Sequence, residues 1–216
     1  MTQPPREGEP FDWEQVYLEA PLLQAKLVER ADPAYAAALR RETPEQEARG
    51  TPFPAVRRIV REWLAARHEH PVEYVVLTAE LLWSSGVRED RIAALSLIFF
   101  HKPARELVDF SGLESWSHDI DNRELIDFMA ALTGRQLETA PRLHATVRSL
   151  VASESPYQRR LALMTLVVAS RDPAWEPGLA AMVERLSGDT DPVVQDALVR
   201  AKARLAQIKA HAMRGS

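Results

Sequence analysis

Helical periodicity, broken at short intervals by proline, glycine and aspartate, is the feature that most limits what this chain can build. Val56, Ile59, Val60, Trp63 and Leu64 recur at i, i+3, i+4, i+7 and i+8, an amphipathic stripe introduced by Pro52 and Pro54. The segment His68 to Pro71 ends it. The same pattern predicts a helix over 72–83, stopped at Ser84-Ser85-Gly86 with the glycine as C-cap. Another is expected over 88–100, where the nearly continuous apolar run Ile92 to Phe100 requires burial on most sides. A short helix is expected over 103–110, and one capped by Asp121 or Asn122 runs to Leu132 and is closed by Gly134. Helices over 141–152, 156–169, 177–186 and 192–208 follow. Asn-Gly and Asp-Gly hairpin signals are missing, so the expected class is all-α, with ten or more helices.

The turns recur at roughly 15–20 residues, so a helix pair takes about 35–40, the range of HEAT-type repeats. Stacked repeats of that kind form a curved solenoid with a concave face suited to a long partner. The expected organisation is a flexible polar, Pro-rich N-terminal arm over 1–20, a single HEAT-like repeat domain over 21–210 and a disordered tail over 211–216.

Charge and composition narrow the function classes. The net charge of −4 argues against a generally basic nucleic-acid coat, but residues 1–50 carry ten acids against six bases and so hold the whole deficit. Residues 197–216 carry Arg200, Lys202, Arg204, Lys209 and Arg214 and no acid. A neutral remainder can therefore be polarised, with a locally basic groove. Cysteine is absent, which excludes disulfides, thiolate metal sites and a cysteine nucleophile, and suits a reducing, cytoplasmic setting. No segment approaches the ~18 apolar residues of a membrane span. His68-Glu69-His70 lacks the spacing that puts two imidazoles on one helix face, so no metal site is expected. His101, His118 and His144 are isolated, and the eight glycines form no phosphate loop, so no cofactor and no nucleotide-driven chemistry are expected. Trp63 and Trp83 lie on apolar stripes and read as core, whereas Trp116 and Trp175 lie near loops.

Five stretches in order resemble the AlkD-like DNA alkylation repair family, which are HEAT-like-repeat DNA glycosylases. Ala31-Asp32-Pro33-Ala34-Tyr35 followed by Gly50-Thr51-Pro52-Phe53-Pro54-Ala55-Val56-Arg57 is similar to the family's G-V-x-x-P-x-L-R. The segment Leu82 to Leu95 is like L-W-x-S-x-x-x-E-x-R-x-x-A-L. Asp121-Asn122-Arg123-Glu124-Leu125-Ile126-Asp127 is like V-D-N-W-D-L-V-D. Ser155 to Leu163 is like S-x-x-x-x-R-R-x-A-L, and Asp189 to Ala197 is like D-x-x-x-x-V-Q-K-A.

The resemblance implies duplex DNA in the concave groove, with two tryptophans and one aspartate near the deoxyribose of a cationic N3- or N7-alkylpurine. Loss of such a base leaves positive charge developing on the sugar, which a carboxylate stabilises and aromatic faces support. Carried over, the catalytic aspartate is Asp127 and the phosphate-gripping arginine is Arg160, or Arg159 if the register slips by one. The two tryptophan positions fall on Arg123 and on or near Arg200. Arginine there repels a developing cation yet binds phosphate well.

The residues themselves also allow plainer readings. Arg123 and Asp127, at i and i+4, read as a surface ion pair, Arg159-Arg160 as a solvated pair, and Arg200 with Arg204 as a basic helix end. Arg58, with Arg57 and Arg61, forms a further basic ridge. Three functions stay open. One is a monomeric DNA-binding protein, cytoplasmic and nucleoid-associated on DNA, gripping duplex or distorted DNA through Arg58, Arg123, Arg159, Arg160, Arg200 and Arg204 with weak or absent excision. The second is an active alkylpurine glycosylase using Asp127. The third is a helical-repeat protein–protein scaffold.

Overall fold

The computed structural model describes residues 14–44, 46–108, 110–120, 122–140 and 143–215. Among them are twelve α-helices, two single 3-10 turns and no strand, an all-α helical-repeat fold. The chain divides into two compact units, residues 1–108 and 109–216, where the sequence reading expected one domain over 21–210.

Unit one holds α1 (Glu14–Glu29), α2 (Pro33–Glu42), α3 (Phe53–Ala66), α4 (Val72–Ser84), α5 (Arg88–Phe100) and α6 (Lys102–Leu107). Helix α1 begins inside the segment expected as an arm, and the rest of that arm, residues 1–13, lies outside the described residues. Helix α5 is central: it packs on α3, α4 and α6, and every residue from Ile92 to Ile98 is buried. Trp63 and Trp83 are core, as their stripes predict. The loop before α3 is pinned to the start of α5. Glu89 accepts from the Arg49 and Gly50 amides (2.8 and 3.1 Å), while Arg49 forks onto Asp90 (3.0 and 2.8 Å). Gly50 has φ +91°, and a Cβ there would stand 2.5 Å from that of Ala36.

Unit two holds α7 (Phe110–Ser117), α8 (Arg123–Thr139), α9 (Leu143–Ser149), α10 (Pro156–Ala169), α11 (Glu176–Leu186) and α12 (Pro192–Gly215). The short helix expected over 103–110 is α6, and α7, beginning at Phe110, is a further helix that the sequence reading did not include. Helix α12 continues through the segment expected as a disordered tail, since nothing from Pro192 onward breaks the helical pattern before Gly215. Here α10 is central, packed on α8, α9, α11 and α12.

Gly134 does not close its helix. Helix α8 runs on to Thr139, and a Cβ on Gly134 would meet the Val168 Cβ at 2.6 Å and the Thr165 carbonyl at 2.9 Å. The glycine is there because α8 and α10 approach closely at that point. Sequence cannot distinguish a glycine needed for contact from one needed for capping.

Candidate functional site

Helices α8, α10 and α12 bring four charged side chains together. Asn122 caps α8, accepting from the Leu125 amide at 2.9 Å, and the first two turns carry Arg123 and Asp127. The close approach at Gly134 puts Asp127 within direct reach of α10. Arg160 donates from Nε to Asp127 Oδ1 (2.7 Å) and from Nη2 to Oδ2 (2.8 Å), a bidentate pair. Its Nη1 donates to the Val193 carbonyl and to Asp196 Oδ2, both at 2.8 Å. Arg200, one turn beyond Asp196 on α12, donates to Asp127 Oδ2 at 3.0 Å and lies 3.4 Å from Asp196 Oδ2.

Exposure grades across the cluster. The Arg160 side chain is 0% exposed, Asp127 25%, Asp196 36% and Arg200 51%. A buried cation thus holds two carboxylates at the surface, with a second guanidinium lying over them. Burial pulls the Arg160 pKa down, but its hydrogen bonds to Asp127 and Asp196 outweigh that and raise it above the ordinary value. The hydrogen bond from Arg160 holds Asp196 below the usual carboxylate range, with Arg200 and the exposed Arg123 adding to the effect. The two aspartates and two arginines of the cluster cancel, and Arg123 adds its field at Asp196.

Several sequence expectations change. Asp127 pairs with Arg160 and Arg200, not with Arg123 one turn away. Arg160 is not a phosphate contact in this geometry, because its guanidinium is fully buried and already makes four hydrogen bonds. Nor is Arg159-Arg160 a solvated pair. A central helix has no solvent face, so its arginines must find partners inside. Arg159 forks onto Asp189 (2.7 and 3.4 Å) and donates to the Ser153 and Glu154 carbonyls, tying the turn before α10 to the turn before α12. Arg204 donates to the Ser170 carbonyl (2.8 Å) and hydroxyl (3.2 Å), closing the C-terminus of α10. Arg58 belongs to unit one, is exposed, and lies 3.9 Å from Glu62.

Sequence reasoning missed Asp196 and the Val193 carbonyl. A signal for Asp196 existed: it stands where the D-x-x-x-x-V-Q-K-A pattern has lysine, one helical turn before Arg200. The isolated histidines have local partners. His101 caps α6, and His118 meets Gln158 at 2.7 Å. Trp175 lies edge-on to His144 at 5.0 Å, and Trp116 is half-buried on α7. No group of three or more His, Cys, Asp or Glu that could hold a metal occurs among the described residues. No described helix is long and apolar enough to cross a membrane.

A protein-family model described as DNA alkylation repair enzyme matches residues 23–207. No curated protein matches the chain.

Proposed function

Because this chain belongs to the DNA alkylation repair enzyme family, we propose that it serves DNA repair as a DNA-binding member with weak or absent base excision. The family supports a repair-related role and DNA as the partner. The finer reading rests on one observation: Asp127 accepts three hydrogen bonds from two guanidiniums.

A carboxylate stabilises a developing sugar cation through charge that is not already spent. Here Arg160 and Arg200 neutralise the two aspartates, and Arg123 adds a further cation on the exposed side. Such a site repels an oxocarbenium ion and attracts phosphate. Arg200 is the most exposed member of the cluster. Half-exposed, it can leave Asp127 for a phosphate oxygen while Arg160 keeps both of its bonds to the carboxylate. Arg123 can join it, so the two positions where the family pattern has tryptophan become a phosphate grip.

The test is a salt series of DNA affinity, with undamaged and N7-methylguanine duplexes, paired with a base-release assay. Affinity should fall with salt, and Arg123→Ala with Arg200→Ala should flatten the log–log slope by roughly 0.9 per lost phosphate contact. Base release should not exceed spontaneous depurination. Salt-independent binding would overturn the reading, and no binding at low salt would return the chain to the scaffold class.

One observation favours an active glycosylase instead. Asp127 is held rigidly by a buried arginine and still reaches solvent. Base release above background that Asp127→Asn abolishes would establish that reading in place of the first.

A further inference from the structure

Unit two carries a second polar site that the DNA reading does not use. A cavity of about 290 Å³ opens beside α9 and α11. His144 and Arg148 line it from α9 and Arg185 from α11, with Val151, Ala181 and Met182 as apolar wall. Among the described residues no acidic side chain lines it. Among the described residues, neither Arg148 nor Arg185 makes an ion pair or hydrogen bond. The Nε2 atom of His144 is buried without a hydrogen-bond partner. Gly178, in the first turn of α11, lets that helix approach the ring closely: a Cβ there would stand 3.3 Å from Nε2.

These features have one chemical complement. Two unpaired guanidiniums on the rim of a concave site are a receptor for an oxyanion with several oxygens. The His144 ring forms part of the wall beside them, so it reports on what enters. The cavity is larger than a bare phosphate needs, and its remaining wall is apolar.

We propose that this cavity binds a small organic phosphate monoester of nucleotide size, its phosphate on Arg148 and Arg185 and its body against Val151, Ala181 and Met182. Burial, and then the charge of Arg148, hold His144 below its ordinary pKa, so its ring is neutral at pH 7. A neutral ring leaves the charge balance to the arginines.

The experiment is NMR of the full chain with labelled histidine, His144 being assigned by loss of its signal in His144→Gln. The probes are deoxyadenosine monophosphate, inorganic phosphate and a short duplex. Deoxyadenosine monophosphate should shift the His144 resonance saturably, and Arg148→Ala with Arg185→Ala should weaken it about tenfold or more. Ala181→Glu removes no cation but sets a carboxylate one turn before Arg185, and should abolish the response in a folded protein. No His144 response in wild type, or an unchanged response in Ala181→Glu, would overturn the proposal. So would inorganic phosphate binding as tightly as the nucleotide, since no organic body is then recognised. A response to duplex alone would overturn it too, by assigning the cavity to the DNA surface. Failure of the chain to bind DNA at all would leave this result standing.

Discussion

The central helices of the two units start from the same local device and end with opposite electrostatics. Before α5, the Ser85 hydroxyl accepts from the Val87 amide (3.2 Å) and donates to Asp90 (2.9 Å). Before α10, the Ser153 hydroxyl accepts from the Ser155 amide (3.1 Å) and donates to Gln158 (2.6 Å). Counted from those serines, Arg160 occupies the place of Ile92, and both are 0% exposed. In unit one the first turn of α5 buries two carboxylates, Glu89 and Asp90, which the N-terminal helix dipole favours, with one guanidinium, Arg88, 3.3 Å from Glu89. Every acceptor is filled: Asp90 alone takes Arg49, Gln24 and Ser85. In unit two the buried charge is a guanidinium, which the dipole opposes, and it holds its carboxylates at the rim. The first arrangement locks a loop. The second gives up the apolar residue the repeat would place there and presents charge to solvent.

The largest test of that contrast is Arg49→Ala. It leaves Asp90, at 0% exposure, without its ion partner and should cost about 3–5 kcal/mol in denaturant unfolding. Gly134→Ala tests whether unit two needs its close helix contact. Overpacking against Val168 should cost about 1–3 kcal/mol, whereas a plain interior helix position would gain about 0.5–1 kcal/mol. Arg160→Met restores an apolar residue and frees two carboxylates that already reach solvent, so about 1–2 kcal/mol is expected. A loss equal to that of Arg49→Ala would erase the distinction between lock and presented site.

The smallest effect is in acid. Arg160 holds Asp196 down. Burial pushes Asp189 up, but its hydrogen bonds to Arg159 and the Asp191 amide outweigh that and hold it down as well. Folded values below the ordinary 3.8 mean that this stabilisation is present above that pH. It is lost as pH falls through the lower folded values. Hydrogen-exchange protection factors in α10 and α12, corrected for the intrinsic rate, should therefore fall below about pH 4, and Asp189→Asn should reduce the pH dependence.

Elements marked by local chemistry were legible in the sequence. Helix α10 spans Pro156–Ala169 and α5 spans Arg88–Phe100, as the proline start and the apolar run imply. The cluster of Asp127, Arg160 and Arg200 was reached only through the family resemblance, and its internal pairing was not reached at all. The reading of Arg159-Arg160 as a solvated pair assumed an exposed face, and no residue of α10 is exposed between α8 and α12. Once that face is gone, Arg160 turns inward and Asp127 changes partner. Gly134 shows the same limit: only the position of Val168 reveals its purpose.

The two bonds that Arg160 makes to α12 carry a consequence for synthesis. Chains are made from the N-terminus, and domains generally fold in that order. Until residue 193 is joined, the Arg160 guanidinium has Asp127 as its only acceptor of the three residues that finally hold it. Arg204 likewise reaches the Ser170 end of α10 only from the final helix. The presented site therefore waits for α12, and a nascent chain lacking it holds Arg160 by Asp127 alone, with two of its four hydrogen bonds still unmade. The site is assembled only once α12 has joined the chain.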